Sequence, residues 1–310
     1  MLKGLFAGLS SFTQLIMLIF TMIACFLLFM IVGILSIPFL LGIPFTELMN
    51  ILSGEDFSQY LNLMRYLQIL QSIGFFIIPA FLAAFLFSRT ATEYLGLNQT
   101  VPAKWFGVVL LIMLAAMPCI NLLVTLNEMI VFPESLAALE QRLKDFEESA
   151  RQTTELFLKV DNAGGLFFNI FMIAILPALG EELIFRGVLQ KIFTRWTGNV
   201  HVAIFVTGFL FSLMHMQFYG FFPRWLLGVI FGYLLVWSGT IWFPIFAHFV
   251  NNAVAIILSY LIHKGTISEE VEVFGSSWSD IPVTIVATAI CAWLMWKMYR
   301  SRKVQPFFSF

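Results

Sequence analysis

Two adjacent carboxylates, Glu181 and Glu182, and an arginine, Arg186, stand inside a run of apolar residues long enough to cross a bilayer. His215 and His248 follow on later apolar runs, and Asn252 lies four residues beyond the second histidine. An ionisable group at membrane depth costs at least ~3 kcal/mol on insertion scales, so such groups are retained when they are paired or functional. A carboxylate, two imidazoles and a carboxamide are the parts needed to activate water and to hold an oxyanion. They point to hydrolysis without a covalent nucleophile.

Helical spacing divides the charged cluster. Glu182 and Arg186 are four apart with the acid first, the favourable order for an ion pair on one face. Glu181 is turned by about 100° from Glu182, so it is free to address another helix and is the candidate catalytic carboxylate. His248 and Asn252 project from one face, with Asn251 about 100° round. One histidine in a span is explained by helix packing; two, with an amide beside the second, favour a site. His201 and His263 lie at span edges and read as interfacial. Glu181, His215 and His248 are also a ligand set for Zn²⁺ with an open position, and the sequence leaves the metal and metal-free mechanisms open.

Composition sets the medium. The 310 residues are 60% hydrophobic and 11% charged, with 36 phenylalanines and a mean hydropathy of +0.92. A soluble domain does not have this make-up. We read an all-α, polytopic bundle of about eight membrane helices, near 14–38, 67–88, 106–126, 164–185, 200–217, 222–238, 241–262 and 281–299. The first is too long for a secretory signal and lacks a cleavage site, so it is read as retained. An amphipathic helix is expected at about 133–161, where leucines and Phe146 recur among charges. Cys25, Cys119 and Cys291 lie in apolar spans without a polar neighbour and read as core residues. The sequon at Asn98 falls in a loop on the basic side. No basic nucleic-acid surface is present.

With eight spans, Lys3, Arg89, Lys104, Lys191, Arg195, Lys297, Arg300, Arg302 and Lys303 fall on one side, against the single acid Glu93. The opposite side carries most acids, in 46–66, 127–163 and 263–280. The Lys/Arg excess marks the cytoplasm, so both termini are expected there. Within the spans the polar residues are read as concentrated in the second half only, which favours one catalytic centre over the paired broken helices of many transporters.

The ordered set Glu181-Glu182-x-x-x-Arg186, Phe211-x-x-x-His215 and His248-x-x-x-Asn252 resembles the CPBP family, the CAAX prenyl proteases and bacteriocin-processing proteins also called the Abi family. The resemblance covers roughly residues 164–262. It implies an intramembrane endopeptidase in which Glu181 and His215 activate water, His248 and Asn252 form the oxyanion site, and Glu182 with Arg186 brace it. It also implies a membrane-associated peptide or protein substrate, lipidated or not, and a bacterial inner-membrane location. Family members have been called metalloproteases, and a glutamate mechanism without metal is proposed as well; the glutamate version is favoured here, with zinc the alternative cofactor. The organisation expected is 1–163 as an N-terminal membrane region, 164–262 as a CPBP-type catalytic core, and 263–310 as a final helix with a cytoplasmic tail, all one integral domain. Met214, Met216, Phe218, Tyr219, Phe221 and Phe222 are candidates for an apolar substrate cleft. The rival reading is a non-catalytic immunity protein or transporter with a buried polar relay.

Overall fold

The structure, a computed structural model, describes residues 3–53 and 59–301. Arg302 and Lys303, counted in the charge distribution above, lie outside the described residues. Helices α1 (Ser11–Leu40), α2 (Leu61–Phe87), α3 (Lys104–Glu128), α4 (Ala137–Leu158), α5 (Ala163–Thr197), α6 (Val200–Leu213), α7 (Phe221–Ser238), α8 (Trp242–His263) and α9 (Trp278–Ser301) make up the bundle. Seven of them, all but α4 and α6, are long and apolar enough to cross a membrane. The chain is an integral, multi-pass membrane protein.

Capping residues place the boundaries. Ser10 Oγ accepts from Thr13 N at the start of α1, and Asn162 Oδ1 accepts from Gly165 N at the start of α5. The α5 helix stops at Gly198, whose φ of 65° is left-handed, and Asn199 at once caps α6 through His201 N and Val202 N. Apolar windows miss this geometry. They end the fourth span at 185, whereas α5 continues to Thr197 and is about 52 Å long at 1.5 Å per residue. They extend the fifth to 217, whereas α6 ends at Leu213 and is only about 21 Å long, short of the roughly 30 Å hydrocarbon core. The apolar pattern persists through Met214, Met216 and Phe218 although the chain is already turning, with Met216 at φ 53°.

The basic segments share one end of the bundle. Gly4 N and Phe6 N donate to Phe85 O and Leu86 O, Arg195 donates to Ser11 and Gln14, and Lys191 donates to Tyr94 O. At the other end Asp161 binds both His263 and Lys264, and Glu147 of α4 accepts from Tyr219 N at 3.2 Å. The amphipathic helix therefore lies over the turn that follows α6. Leu139 and Phe146 remain exposed on its other side.

The α6 and α7 helices nearly touch at Gly208 and Gly228, where a Cβ on Gly228 would lie 2.7 Å from Gly208 Cα. Small residues at the crossing let the backbones meet and expose a carbonyl to a third helix. Gly228→Leu should destabilise the fold by more than the ~1–3 kcal/mol of ordinary overpacking, because the obstacle is backbone. Thermal unfolding and folded yield in detergent, compared with Gly107→Leu, whose Cβ would meet open space, measure this.

Candidate active site

The α5 helix carries the charged cluster near its middle, and its pairing follows the spacing. Glu182 Oε1 accepts from Arg186 Nη1 at 2.9 Å, and both side chains are fully buried. The same oxygen accepts from His248 Nδ1 of α8 at 3.0 Å. Arg186 Nη2 reaches across to Gly228 O at 3.0 Å, which the close α6–α7 crossing makes accessible. Three helices are thus tied to one carboxylate. The bond fixes His248 with its proton on Nδ1, while its ring stacks on Phe231 at 5.2 Å.

Glu181 takes no part in that network. Its Oε2 is buried without a hydrogen-bond partner among the described residues, and it lines a cavity of about 380 Å³ together with His215. His215 Nδ1 donates to Phe211 O at 2.8 Å, leaving Nε2 as the acceptor nitrogen. Phe211 is the hub between the two histidines. Its ring meets His215 edge-on at 5.0 Å and His248 at 5.6 Å, and the Arg186 guanidinium lies 4.8 Å from its centre. An aromatic ring excludes water between the ion pair and the cavity while attracting the cation.

Asn252 has a backbone partner. Pro177 has no N–H to give the carbonyl one turn back, and Asn252 Nδ2 donates to that carbonyl, Ile173 O, at 3.1 Å. Its Oδ1 accepts from Asn251. Widened turns at Ile73–Ile77, Ile170–Ile175 and Leu183–Leu189 flank the cavity on α2 and α5, where such turns often mark functional sites. The structure therefore brings Glu181 and His215 onto one cavity, joins His248 to Glu182 and Arg186, and places neither His248 nor Asn252 in the cavity lining. Of the apolar cleft candidates only Met214 lines it. Met216, Phe218, Tyr219, Phe221 and Phe222 do not.

Other polar groups near the site escaped the sequence reading. Gln68, Gln71 and Ser72 of α2 line the cavity, so the first half of the chain contributes to it after all. Carboxamides in an apolar span were the available signal. Arg224 of α7 is held by Gln217 Oε1 at 2.6 Å in the turn bearing His215, and a Cβ on Gly220 would overlap its guanidinium. As for a metal, among the described residues no three His, Cys, Asp or Glu side chains cluster closely enough to share one ion. Glu182 and His248 Nδ1 are already engaged with each other. The donor set does not fit a three-ligand zinc site, and no step is derived through one.

Residues 163–254 match the family described as Rce1-like, Type II CAAX prenyl endopeptidase Rce1-like. The matched segment is about a third of the chain and coincides with the residues that carry the Glu181, His215 and His248 motifs. It is 28% identical over 93 residues to the uncharacterized protein YpbD of Bacillus subtilis (strain 168), covering 28% of this chain and 43% of that one. It is 30% identical over 103 residues to the sporulation-killing factor biosynthesis protein SkfC of the same organism, covering 31% of this chain and 20% of that one. The chain thus spans less than half the length of either relative. No solved structure matches.

Removing one partner of a buried ion pair leaves the other uncompensated. Glu182→Ala and Arg186→Ala should each destabilise by ~3–5 kcal/mol, and the double substitution by less than the sum. Chemical unfolding in detergent micelles reads both, and additive losses would refute the coupling.

Proposed function

We propose that this protein hydrolyses peptide bonds of membrane-associated substrates within the bilayer, using water activated by Glu181 and His215. One observation carries the reading: an unpartnered, buried carboxylate oxygen of Glu181 faces the same cavity as a histidine whose proton is committed to Phe211 O. A water between Glu181 and His215 Nε2 gives a proton to the carboxylate as its oxygen adds to the scissile carbonyl carbon. The tetrahedral oxyanion then collapses, the C–N bond breaks, and the proton passes from Glu181 to the leaving amine nitrogen. No acyl-enzyme forms.

His248 and Asn252 are proposed on the oxyanion side, supported by their motif positions. An imidazolium at His248 would keep Nδ1–H on Glu182 and present Nε2–H to the developing charge. Glu182 with Arg186 anchors that histidine. We propose the metal-independent version, which the engagement of Glu182 by Arg186 and His248 supports. The basic end of the bundle is proposed to face the cytoplasm of a bacterial inner membrane, following the Lys/Arg excess. The Rce1-like match supports peptide or protein substrates as the class.

Glu181→Ala and His215→Ala should each lower the rate of cleavage of a membrane-anchored peptide by ~10²–10⁴-fold with unchanged folding. Parental rates in both variants would remove the water-activating pair. Activity should also survive a strong chelator, with no stoichiometric zinc by elemental analysis. Loss on chelation and recovery with Zn²⁺ would overturn the metal-free mechanism.

A further inference from the structure

The cavity has a wall that lies outside the Rce1-like segment. Gln68 and Gln71 stand three residues apart on α2, on the same side of the helix, with about 5–6 Å between their Cβ atoms. The Ser72 hydroxyl is committed to Gln68 O at 3.0 Å, but neither glutamine carboxamide has a partner within the protein among the described residues. Two free amides in a membrane span are costly unless something else binds them. Their position is enforced: a Cβ on Gly180 would lie 2.8 Å from Phe76 Cβ, so only glycine beside Glu181 lets α2 come this close.

Cleavage itself adds a constraint. Within a helix each carbonyl is bonded to the N–H four residues on and screened by side chains, so a peptide bond presented to Glu181 must be freed from that pattern. The segment at the site is therefore unwound. An unwound backbone in a bilayer has N–H and C=O groups with no partner, and each carboxamide offers both a donor and an acceptor.

Resting on the hydrolytic reading of the site, the geometry points to Gln68 and Gln71 as the substrate-backbone cradle, which holds an extended peptide against Glu181 by amide-to-amide hydrogen bonds. Recognition of backbone tolerates many sequences, while Phe26, Phe75 and Phe76 around the amides select apolar side chains. The substrate class is therefore an extended apolar segment, read by its peptide groups rather than by a charged signature.

The probe is a myristoylated, fluorescent peptide of alternating alanine and leucine, with a series of analogues in which one amide N–H at a time is replaced by an ester oxygen. Binding is measured to the full-length Glu181→Gln protein in nanodiscs. Replacing Gln68 and Gln71 together by the apolar isostere Met should weaken binding by about tenfold or more, as expected for two lost hydrogen bonds, with unchanged thermal unfolding. At one or two positions the ester should weaken binding to the Gln protein and not to the Met protein. Equal binding by the Met variant, or an ester penalty identical in both proteins, overturns the cradle. Should the double variant not fold, Gln68→Met and Gln71→Met are read singly by the same criterion. Cleavage with intact Glu181 separates the two readings. Gln-dependent binding without any cleavage refutes hydrolysis and keeps the cradle, whereas cleavage indifferent to the Met pair refutes the cradle and keeps hydrolysis.

Discussion

The bundle is organised around a single oxygen atom, Glu182 Oε1, which accepts from Arg186 Nη1 and from His248 Nδ1. Buried among phenylalanines, none of these groups has water to fall back on. The acid therefore fixes the relative positions of α5 and α8, and the arginine, by reaching Gly228 O, brings α7 into the same register. A buried ion pair is a weak source of net stability, because desolvation offsets most of its Coulomb energy. Its effect here is on specificity of arrangement, since any other packing would strand a charge in hydrocarbon.

The irregularities of the helices follow from the same absence of water. Pro177 releases a carbonyl that only another helix can satisfy, and Asn252 satisfies it. Gly180, Gly208 and Gly228 remove side chains where helices must nearly touch. Phe211 separates the structural ion cluster from the cavity, with a histidine on each side of its ring. Glu182 Oε1 holds both Arg186 and His248, while Glu181 takes neither of them and faces the cavity. Adjacent residues of the same type thus have different partners, because about 100° of helical rotation points them at different neighbours.

Much of this was legible in the residues. The medium followed from hydropathy, the Glu182–Arg186 pair from i,i+4 spacing, and the freedom of Glu181 from its rotation off that face. The short α6 was not legible, because Met214, Met216 and Phe218 continue an apolar pattern through a turn that depends on backbone conformation. Nor was the share of α2 in the cavity. Gln68 and Gln71 look like incidental polar residues until Gly180 brings that helix beside Glu181.

The sequence by itself determined that this is a membrane bundle with a segment similar to the Rce1-like family, and which side chains are too costly to be there without a purpose. Those conclusions depend on composition, helical period and motif order, all local or additive along the chain. Tertiary structure alone decided that Glu182 rather than Glu181 holds His248, that Asn252 caps the carbonyl opened by Pro177, and that α2 closes the cavity opposite His215. Each of these is a contact between distant segments. Its geometry is set by helix crossings, and helix crossings depend on which small residues from two separate stretches meet in space.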